Sequence, residues 1–457
     1  MSQTAETIPL LSQPRLRAFA VGTASAASMR VSAMATAFAS TLIMARCLGF
    51  SAFGEFAFAL ATVQLLNVIS KFGLDNTSLR FISLYRQAQD DRLLGMMVRC
   101  AANTVGLCSC TGAALLAAAT LLLRPYISGE LLTCLLLSAG VLVVLPLTQV
   151  YEATLLALGR VLPGMLSPVL TPLLFIICLL AARSTAGTAL SSASAMLLYT
   201  TAALAAFLAA RAFLRHWLES CRKVQLTDRV ARQRWLDMAL PMMFMNILVY
   251  VQGQSGTILC GLFLSTGESG LFSTISKVAG VALFGLQSVN TIASPRMAEL
   301  HGAGETEKLQ DYVQMCSWSS LAFALPVALA IVAFGHPLLH MFGPEFVVGY
   351  RPLLVLLFGL LVNAGTGPVA QLLYMTGYHT TCLRLYAVVA AAVLVLQVVL
   401  IPQFGVMGAA ISTSLVQIFW NLALVQIARS KVGVGSVVSL ALLARQLRKF
   451  RSFSVTS

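Results

Sequence analysis

Charge is what this chain has least of. Asp, Glu, Lys and Arg make up 10% of its 457 residues, against about 25% in an ordinary soluble domain. Acids are the scarcer sign, 16 against 30 basic residues, for a net charge of +14. Twelve stretches of about 20 residues or more are nearly free of charge, and they run almost unbroken from residue 19 to residue 427. No soluble core buries that much apolar chain, whereas a bilayer core ~30 Å thick is crossed by ~20 apolar residues. Open sheet is excluded, because lipid leaves every backbone N–H and C=O to be satisfied within the fold.

Reactive groups are thin as well. The ten cysteines are scattered, mostly inside the apolar stretches. Cys108-Ser-Cys110, the close pair, has neither metal-ligand spacing nor a disulfide framework, so all ten read as small packing residues. The five histidines, His216, His301, His336, His340 and His379, fall in loops or at span ends. His336 and His340 stand at i, i+4, but no carboxylate lies at ligand spacing before Glu345, so no metal site is expected. There is no nucleophile–base constellation and no glycine-rich phosphate loop. The reading is therefore no enzyme, no cofactor and no ATP hydrolysis within the chain. The basic excess reports orientation rather than a nucleic-acid partner. Residues 1–14 are polar, Arg15 and Arg17 follow, and no short apolar segment ends in a small-residue cleavage site, so no removable signal peptide is expected.

What is there is an all-α polytopic membrane protein. Its twelve transmembrane helices are read at 19–45, 54–73, 97–123, 131–156, 161–182, 187–210, 236–263, 270–294, 314–341, 350–376, 381–402 and 406–428. With the N-terminus in the cytosol, 24 of the 30 basic residues fall on the cytosolic side. Four (Arg46, Arg124, Arg183 and Arg351) fall outside, and Arg30 and Lys277 lie within spans. The positive-inside rule then puts both termini in the cytosol. Gly54, Phe56 and Arg80 return as Gly270, Phe272 and Arg296 at an offset of 216, as do Leu93 and Cys100 in Leu309 and Cys316. Gly159 returns as Gly377 at an offset of 218. Six spans per copy is an even number, so the two six-helix lobes form a parallel repeat about an axis along the membrane normal. The division expected is a cytosolic N-terminal segment at 1–18, an N-lobe at 19–210, a basic inter-lobe linker at 211–235, a C-lobe at 236–428 and a basic tail at 429–457. The linker reads as a cationic strip on anionic membrane lipids, at ~1 kcal/mol per Lys or Arg.

Local sequence adds a resemblance. Ala45-Arg46-Cys47-Leu48-Gly49, leading into Gly54-Glu55-Phe56-Ala57 and Gly73-Leu74, resembles the first hairpin of the polysaccharide transporter family. The second half carries Pro295-Arg296-Met297-Ala298-Glu299-Leu300, Phe342-Gly343-Pro344-Glu345-Phe346, Gly367-Pro368, Thr376-Gly377 and Ile401-Pro402. It ends on Gly405-Val406-Met407-Gly408-Ala409-Ala410-Ile411-Ser412-Thr413. That order is similar to O-antigen and exopolysaccharide repeat-unit flippases. They belong to the multidrug/oligosaccharidyl-lipid/polysaccharide flippase superfamily, which also holds multidrug-and-toxin exporters. The resemblance covers roughly residues 20–430. It implies a bacterial inner membrane and a two-lobed fold of twelve to fourteen helices. It also implies an oligosaccharide cargo on a polyprenyl pyrophosphate, with polysaccharide polymerase and chain-length machinery as partners. The two further spans of some relatives are not expected, since 434–447 is too short and too basic at its end to cross. Pro368 should kink span ten, Pro295 and Pro402 read as helix ends, and Gly408 lets span twelve approach its neighbour closely.

Charges inside the bilayer cost ~2.5–3.5 kcal/mol each and mark function or pairing. Arg30 reads as mid-span on a small-residue face with Ala26, Ala27, Ala33 and Met34, suited to gripping phosphate oxygens. Its structural alternative is pairing with a carbonyl or an acid. Lys277, about seven residues into the eighth stretch, is either a second cation in the cleft or a snorkelling side chain. Asn246 and Gln252 are candidates for sugar hydroxyls, Asn246 standing where the repeat puts Arg30. Such groups also serve as interhelical glue at ~0.6 kcal/mol. Glu152, one turn after Thr148 and Gln149, is a candidate for carrying a coupling ion, with structural pairing as its alternative. Glu55 and Asp237 read as ordinary interface charges. The charge pattern favours a lipid-linked oligosaccharide flippase working by alternating access. The alternatives are a multidrug exporter, which would want acids in the N-lobe cavity, and a membrane glycan polymerase. The polymerase would need acids on a long outer loop, and only Glu130, Glu268 and Glu345 lie outside.

Overall fold

The computed structural model describes residues 13–186, 190–221 and 229–438, excepting the side chains of 13–27, 186, 216–221, 229 and 291–292. The segments 1–12, 187–189, 222–228 and 439–457 lie outside the described residues. They include the middle of the expected linker and Arg445, Arg448, Lys449 and Arg451.

Eleven helices are long and apolar enough to cross a membrane. The first of them, Gln13–Ser70, is interrupted at Gly49, whose φ of 77° is left-handed. This turn separates span one, 13–48, from span two, 50–70, and the crossings become twelve. The remaining spans are Asp91–Leu122 (three), Gly129–Ala157 (four), Ser167–Ala186 (five), Ser192–Cys221 (six) and Arg229–Phe263 (seven). Span eight runs from Thr266–Gly280 through a tight turn at Val281–Leu283 into Phe284–Gly302. Thr306–His340 (nine), His379–Phe404 (eleven) and Val406–Lys431 (twelve) are continuous. Among the described residues there is no strand, as a lipid-facing backbone requires.

Several boundaries differ from the sequence reading, each for a local reason. Span five starts at Ser167 rather than 161, because Val161–Gly164 forms a separate short helix and Pro168 suits a first turn. Span nine starts at Thr306, eight residues before the expected 314, since a polar helical turn is free to extend beyond the bilayer. Arg211 and Arg232 belong to the helices of spans six and seven. Span ten is broken rather than kinked: it stops at Thr366, Gly367 takes a φ of 67°, and Val369–Met375 resumes the helix. Pro295 lies inside a helix, not at its end. A Cβ at Gly408 would stand 2.1 Å from the carbonyl oxygen of Leu400, so spans eleven and twelve touch backbone to backbone.

The break in span ten has a companion. After span twelve the chain turns back, and Val434 and Ser436 are fully buried in the C-lobe. Gln310 Nε2 donates to the Gly435 carbonyl at 2.6 Å, and its Oε1 accepts from the Gly435 N–H at 2.6 Å. Gln314 Nε2 donates to the carbonyls of Gly435 and Val437 at 2.7 Å each. The Val438 N–H donates to the Gly365 carbonyl at 3.1 Å. This strap supplies partners that the interrupted helix cannot provide for itself.

The apolar cores show how the lobes meet. One buried cluster crosses both lobes; it joins Phe53, Phe56, Leu142 and Phe175 to Phe272, Ile275, Phe346 and Leu357. Two further clusters divide the basic half of the molecule. One is built on Leu74, Met97, Leu155 and Trp235, the other on Met297, Leu309, Leu372 and Trp420. The lobes therefore share a core toward the face opposite the basic residues, while toward the basic face two clusters stand apart and span seven gives Ala231, Trp235 and Ala239 to the one built on N-lobe spans. At the shared end a Cβ on Gly270 would lie 2.9 Å from Gly54 Cα. These two glycines are repeat equivalents. Only positions on a two-fold axis touch their own equivalents, so the pseudo-axis passes between them.

Candidate functional site

Span one divides two environments. One stripe of it, Arg30, Met34, Ala37, Thr41 and Met44, follows helical spacing. From Ala37 upward this stripe lines a cavity of about 300 Å³ enclosed by spans one, two, four, five and six. Lys277 of span eight reaches this cavity from the other lobe. Its Nζ donates to Thr41 Oγ1 at 3.2 Å. Span eight begins at Thr266, eleven residues before Lys277, so the amine stands ~16 Å from the helix start, near mid-membrane. That is deeper than the sequence reading, which began the span at 270.

Arg30 stands elsewhere. Span one continues to the Gly49 turn, eighteen residues above Arg30, which places it ~27 Å from that end. It is exposed at the midpoint of the 13–48 helix, and lies below the cavity, which begins at Ala37. Arg30 and Thr41 are ~16 Å apart along the helix axis. Glu152 and Gln149 line the same cavity as Lys277. Glu152 Oε1 accepts from the Ser167 N–H at 3.2 Å, a carboxylate closing the N-terminus of span five. Gln149 accepts from Asn67 Nδ2 at 3.3 Å.

Gln252 is not in this cavity. It lines a second one, of about 220 Å³, in the C-lobe, together with Ser276, Thr413 and Gln417. Asn246 is half-buried and its Nδ2 has no hydrogen-bond partner. The structure thus brings Lys277 together with Thr41, Gln149 and Glu152, and leaves Arg30, Asn246 and Gln252 in separate places. Thr41 was missed in the sequence; the available signal was its position eleven residues beyond Arg30 on one stripe. Glu55 corrects another expectation. It is buried at 7% exposure and accepts from Ser192 Oγ at 2.6 Å and Ser128 Oγ at 3.2 Å. Standing in the second turn after the Gly49 hairpin, it is turned inward and ties span two to the starts of spans four and six.

Above the cavity the lobes are sealed. The Arg46 guanidinium donates to the carbonyls of Met341 and, at 3.0 Å, His340. Phe38 packs on Phe342, and Phe50 and Phe53 on Phe346, with ring centroids 5.3–5.7 Å apart. On the other side of span one, Val31, Ala35 and Phe38, with Met34 at the edge between the two faces, meet Phe284 and Phe334 across an apolar groove of about 550 Å³. One helix therefore separates a charged cavity from an apolar groove.

Two six-helix lobes that share a core at one membrane face, with a polar cavity in the N-lobe reached by Lys277 of the other lobe, make a multi-pass membrane protein. The sequence matches the family described as "Polysaccharide biosynthesis protein" over residues 19–301, and the MatE family over residues 241–403. The chain belongs to the former, within the multidrug/oligosaccharidyl-lipid/polysaccharide flippase superfamily, whose members are flippases and transporters. A curated relative, the probable low-salt glycan biosynthesis flippase Agl15 of Haloferax volcanii, is 22% identical over 156 residues. That match spans 34% of this chain and 33% of the relative. Among solved structures, an inward-facing multidrug resistance MATE transporter superposes with a TM-score of 0.68 at 16% identity, over 91% of this chain and 98% of that one. The lipid II flippase MurJ, in an inward closed conformation, gives 0.67 at 14% identity, over 88% and 87%. A superfamily transporter from Pyrococcus furiosus, described as having a binding pocket of reverse polarity, gives 0.59 at 15% identity, over 90% and 95%. At these identities the structural likeness establishes the fold.

Proposed function

We propose that the chain is a flippase for polyprenyl-pyrophosphate-linked oligosaccharide, working by alternating access in a bacterial inner membrane with its basic face in the cytosol. The observation that carries this reading is Lys277: a mid-membrane ammonium bridging the lobes at the rim of the cavity. A cation so placed strengthens its grip on an anion as water is excluded. Arg30 and Lys277 are too far apart to hold one pyrophosphate together. They act in sequence, Arg30 receiving the head group at the mouth and Lys277 holding it midway. The apolar groove on the far side of span one takes the first isoprene units, so the lipid need not leave the apolar phase. Gln252 and the C-lobe hydroxyls receive sugar. Glu152 is the candidate for carrying a coupling ion. The family membership and the glycan-flippase description of the Haloferax relative support the cargo class.

The test uses purified protein in liposomes with a fluorescent polyprenyl-pyrophosphate oligosaccharide added to one leaflet. Glycan appearing on the other side, read by an impermeant glycosidase, supports the proposal. Protein-free rates would refute it. Glu152 on the cavity wall supports a second reading, a multidrug exporter that balances an organic cation. Protein-dependent efflux of a cationic dye with no glycan movement selects that reading.

A further inference from the structure

A third polar cavity lies apart from the two described above. It has a volume of about 240 Å³ and is walled by span three and the basic end of span seven. Arg232, Asn103 and Thr104 supply its polar groups, and Cys100, Leu107 and Trp235 its apolar floor. Trp235 is 1% exposed and held by its indole N–H, which donates to Tyr85 Oη at 2.9 Å. The floor is therefore fixed. Among the described residues no carboxylate pairs with Arg232, which is exposed.

Depth identifies the ligand. Span three ends at Leu122 on the face opposite the basic one. Counting down the helix, Leu107 lies ~22 Å below that end, Asn103 ~28 Å and Cys100 ~33 Å. With a hydrocarbon core ~30 Å thick, Leu107 is among acyl chains, Asn103 is at the glycerol level, and Cys100 with Arg232 is in the headgroup layer. Apolar, neutral polar and cationic walls thus follow one another in the order of a phospholipid's own chemistry. The cavity is smaller than the ~300 Å³ lower end of drug-sized sites; it accommodates a headgroup, not a whole lipid. A bare carboxamide such as Asn103 on a lipid-facing helix also calls for a polar partner.

We propose that this cavity binds the phosphate headgroup of an anionic phospholipid. The Arg232 guanidinium pairs with the phosphate oxygens, Asn103 and Thr104 donate to the glycerol ester region, and the first acyl methylenes lie along Leu107. A lipid held there joins the N-lobe to the basic extension of span seven and is independent of what the transporter carries.

Native mass spectrometry of the full-length protein in detergent tests this, with phosphatidylglycerol and phosphatidylcholine as probes. Wild type should keep one phosphatidylglycerol under activation that strips phosphatidylcholine. Arg232→Gln should weaken that binding about tenfold, the scale of losing one charge-assisted pair. Asn103→Leu should weaken it by a smaller factor. Arg429→Gln, an exposed basic residue at the end of span twelve, should leave it unchanged. Equal retention in wild type and Arg232→Gln, or equal losses in Arg232→Gln and Arg429→Gln, overturns the site. Inorganic phosphate displacing the bound phosphatidylglycerol at equal concentration identifies a soluble phosphate instead and overturns the lipid assignment.

Discussion

The two lobes enclose cavities at equivalent places and furnish them differently. Phe56 on the N-lobe wall corresponds to Phe272 on the C-lobe wall, Leu60 to Ser276 and Ala37 to Gly253, all at an offset of 216. Yet the N-lobe cavity holds Glu152 and the visiting Lys277, while the C-lobe cavity is lined by neutral groups. Glu152 itself corresponds, at an offset of 218, to Ala370, next to the break in span ten. Lys277 corresponds to Ala61, whose carbonyl accepts from Tyr250 Oη at 2.5 Å. The duplication preserved backbone positions on both sides of the axis, and one half kept ionisable chemistry where the other has a helix break. Helix packing tolerates such divergence because cavity walls, unlike the core, carry little packing constraint.

The comparison is most sharply tested at Lys277. Lys277→Gln should lower glycan translocation on the order of 100-fold, the scale of a lost charge-assisted contact of ~3 kcal/mol, with little change in insertion. Gln252→Leu in the C-lobe should cost less than about tenfold, as for a neutral hydrogen bond. Equal losses at the two positions would erase the functional difference between the cavities. The axis glycines should behave in the opposite way, symmetrically. A Cβ on Gly54 would stand 2.1 Å from the Thr266 carbonyl oxygen. Gly54→Ala and Gly270→Ala should both disfavour the closed end by ~1–3 kcal/mol. Spin labels across the Arg46–His340 seal would read this as a longer distance; a shift in one variant but not the other would remove the axis from between these glycines.

Smaller effects test the rest. Glu152→Gln keeps an oxygen for the Ser167 N–H, so folding should survive. If Glu152 carries the coupling ion, transport in this variant should lose its response to an imposed proton gradient; an intact response leaves Glu152 as the cap of span five. Gln314→Leu strands the half-buried Val437 carbonyl of the tail strap and leaves the Gly435 carbonyl with Gln310 alone, at ~1–3 kcal/mol. A lower Tm without altered cargo selectivity is the expected result, read by thermal unfolding in detergent.

Much of the architecture was legible beforehand because its cause is one-dimensional. Apolar runs must span lipid, and the repeat offset survived in Gly54, Phe56 and Arg80. The hairpin at Gly49 and the break at Gly367-Pro368 lay in segments flagged by glycine and proline, though a kink rather than a full interruption was expected. The site was less legible. Arg30 lies at the midpoint of the span-one helix, but the polar cavity begins only at Ala37, and no local pattern shows how high along that helix the other spans enclose it. Glu55 was read as an interface charge because its partners, Ser128 and Ser192, lie 73 and 137 residues away. Lys277 was identified as a cation within a span, either in the cleft or snorkelling, but its partner Thr41 lies 236 residues earlier.

Hydropathy and repeat spacing by themselves determined that this protein crosses a membrane twelve times in two like halves. The reason is that a backbone in lipid has only its own helix to bond with. Tertiary packing decided which polar groups share a cavity, where the lobes share a core and how the tail re-enters. Those outcomes depend on contacts between residues far apart in the chain, and no local pattern carries them.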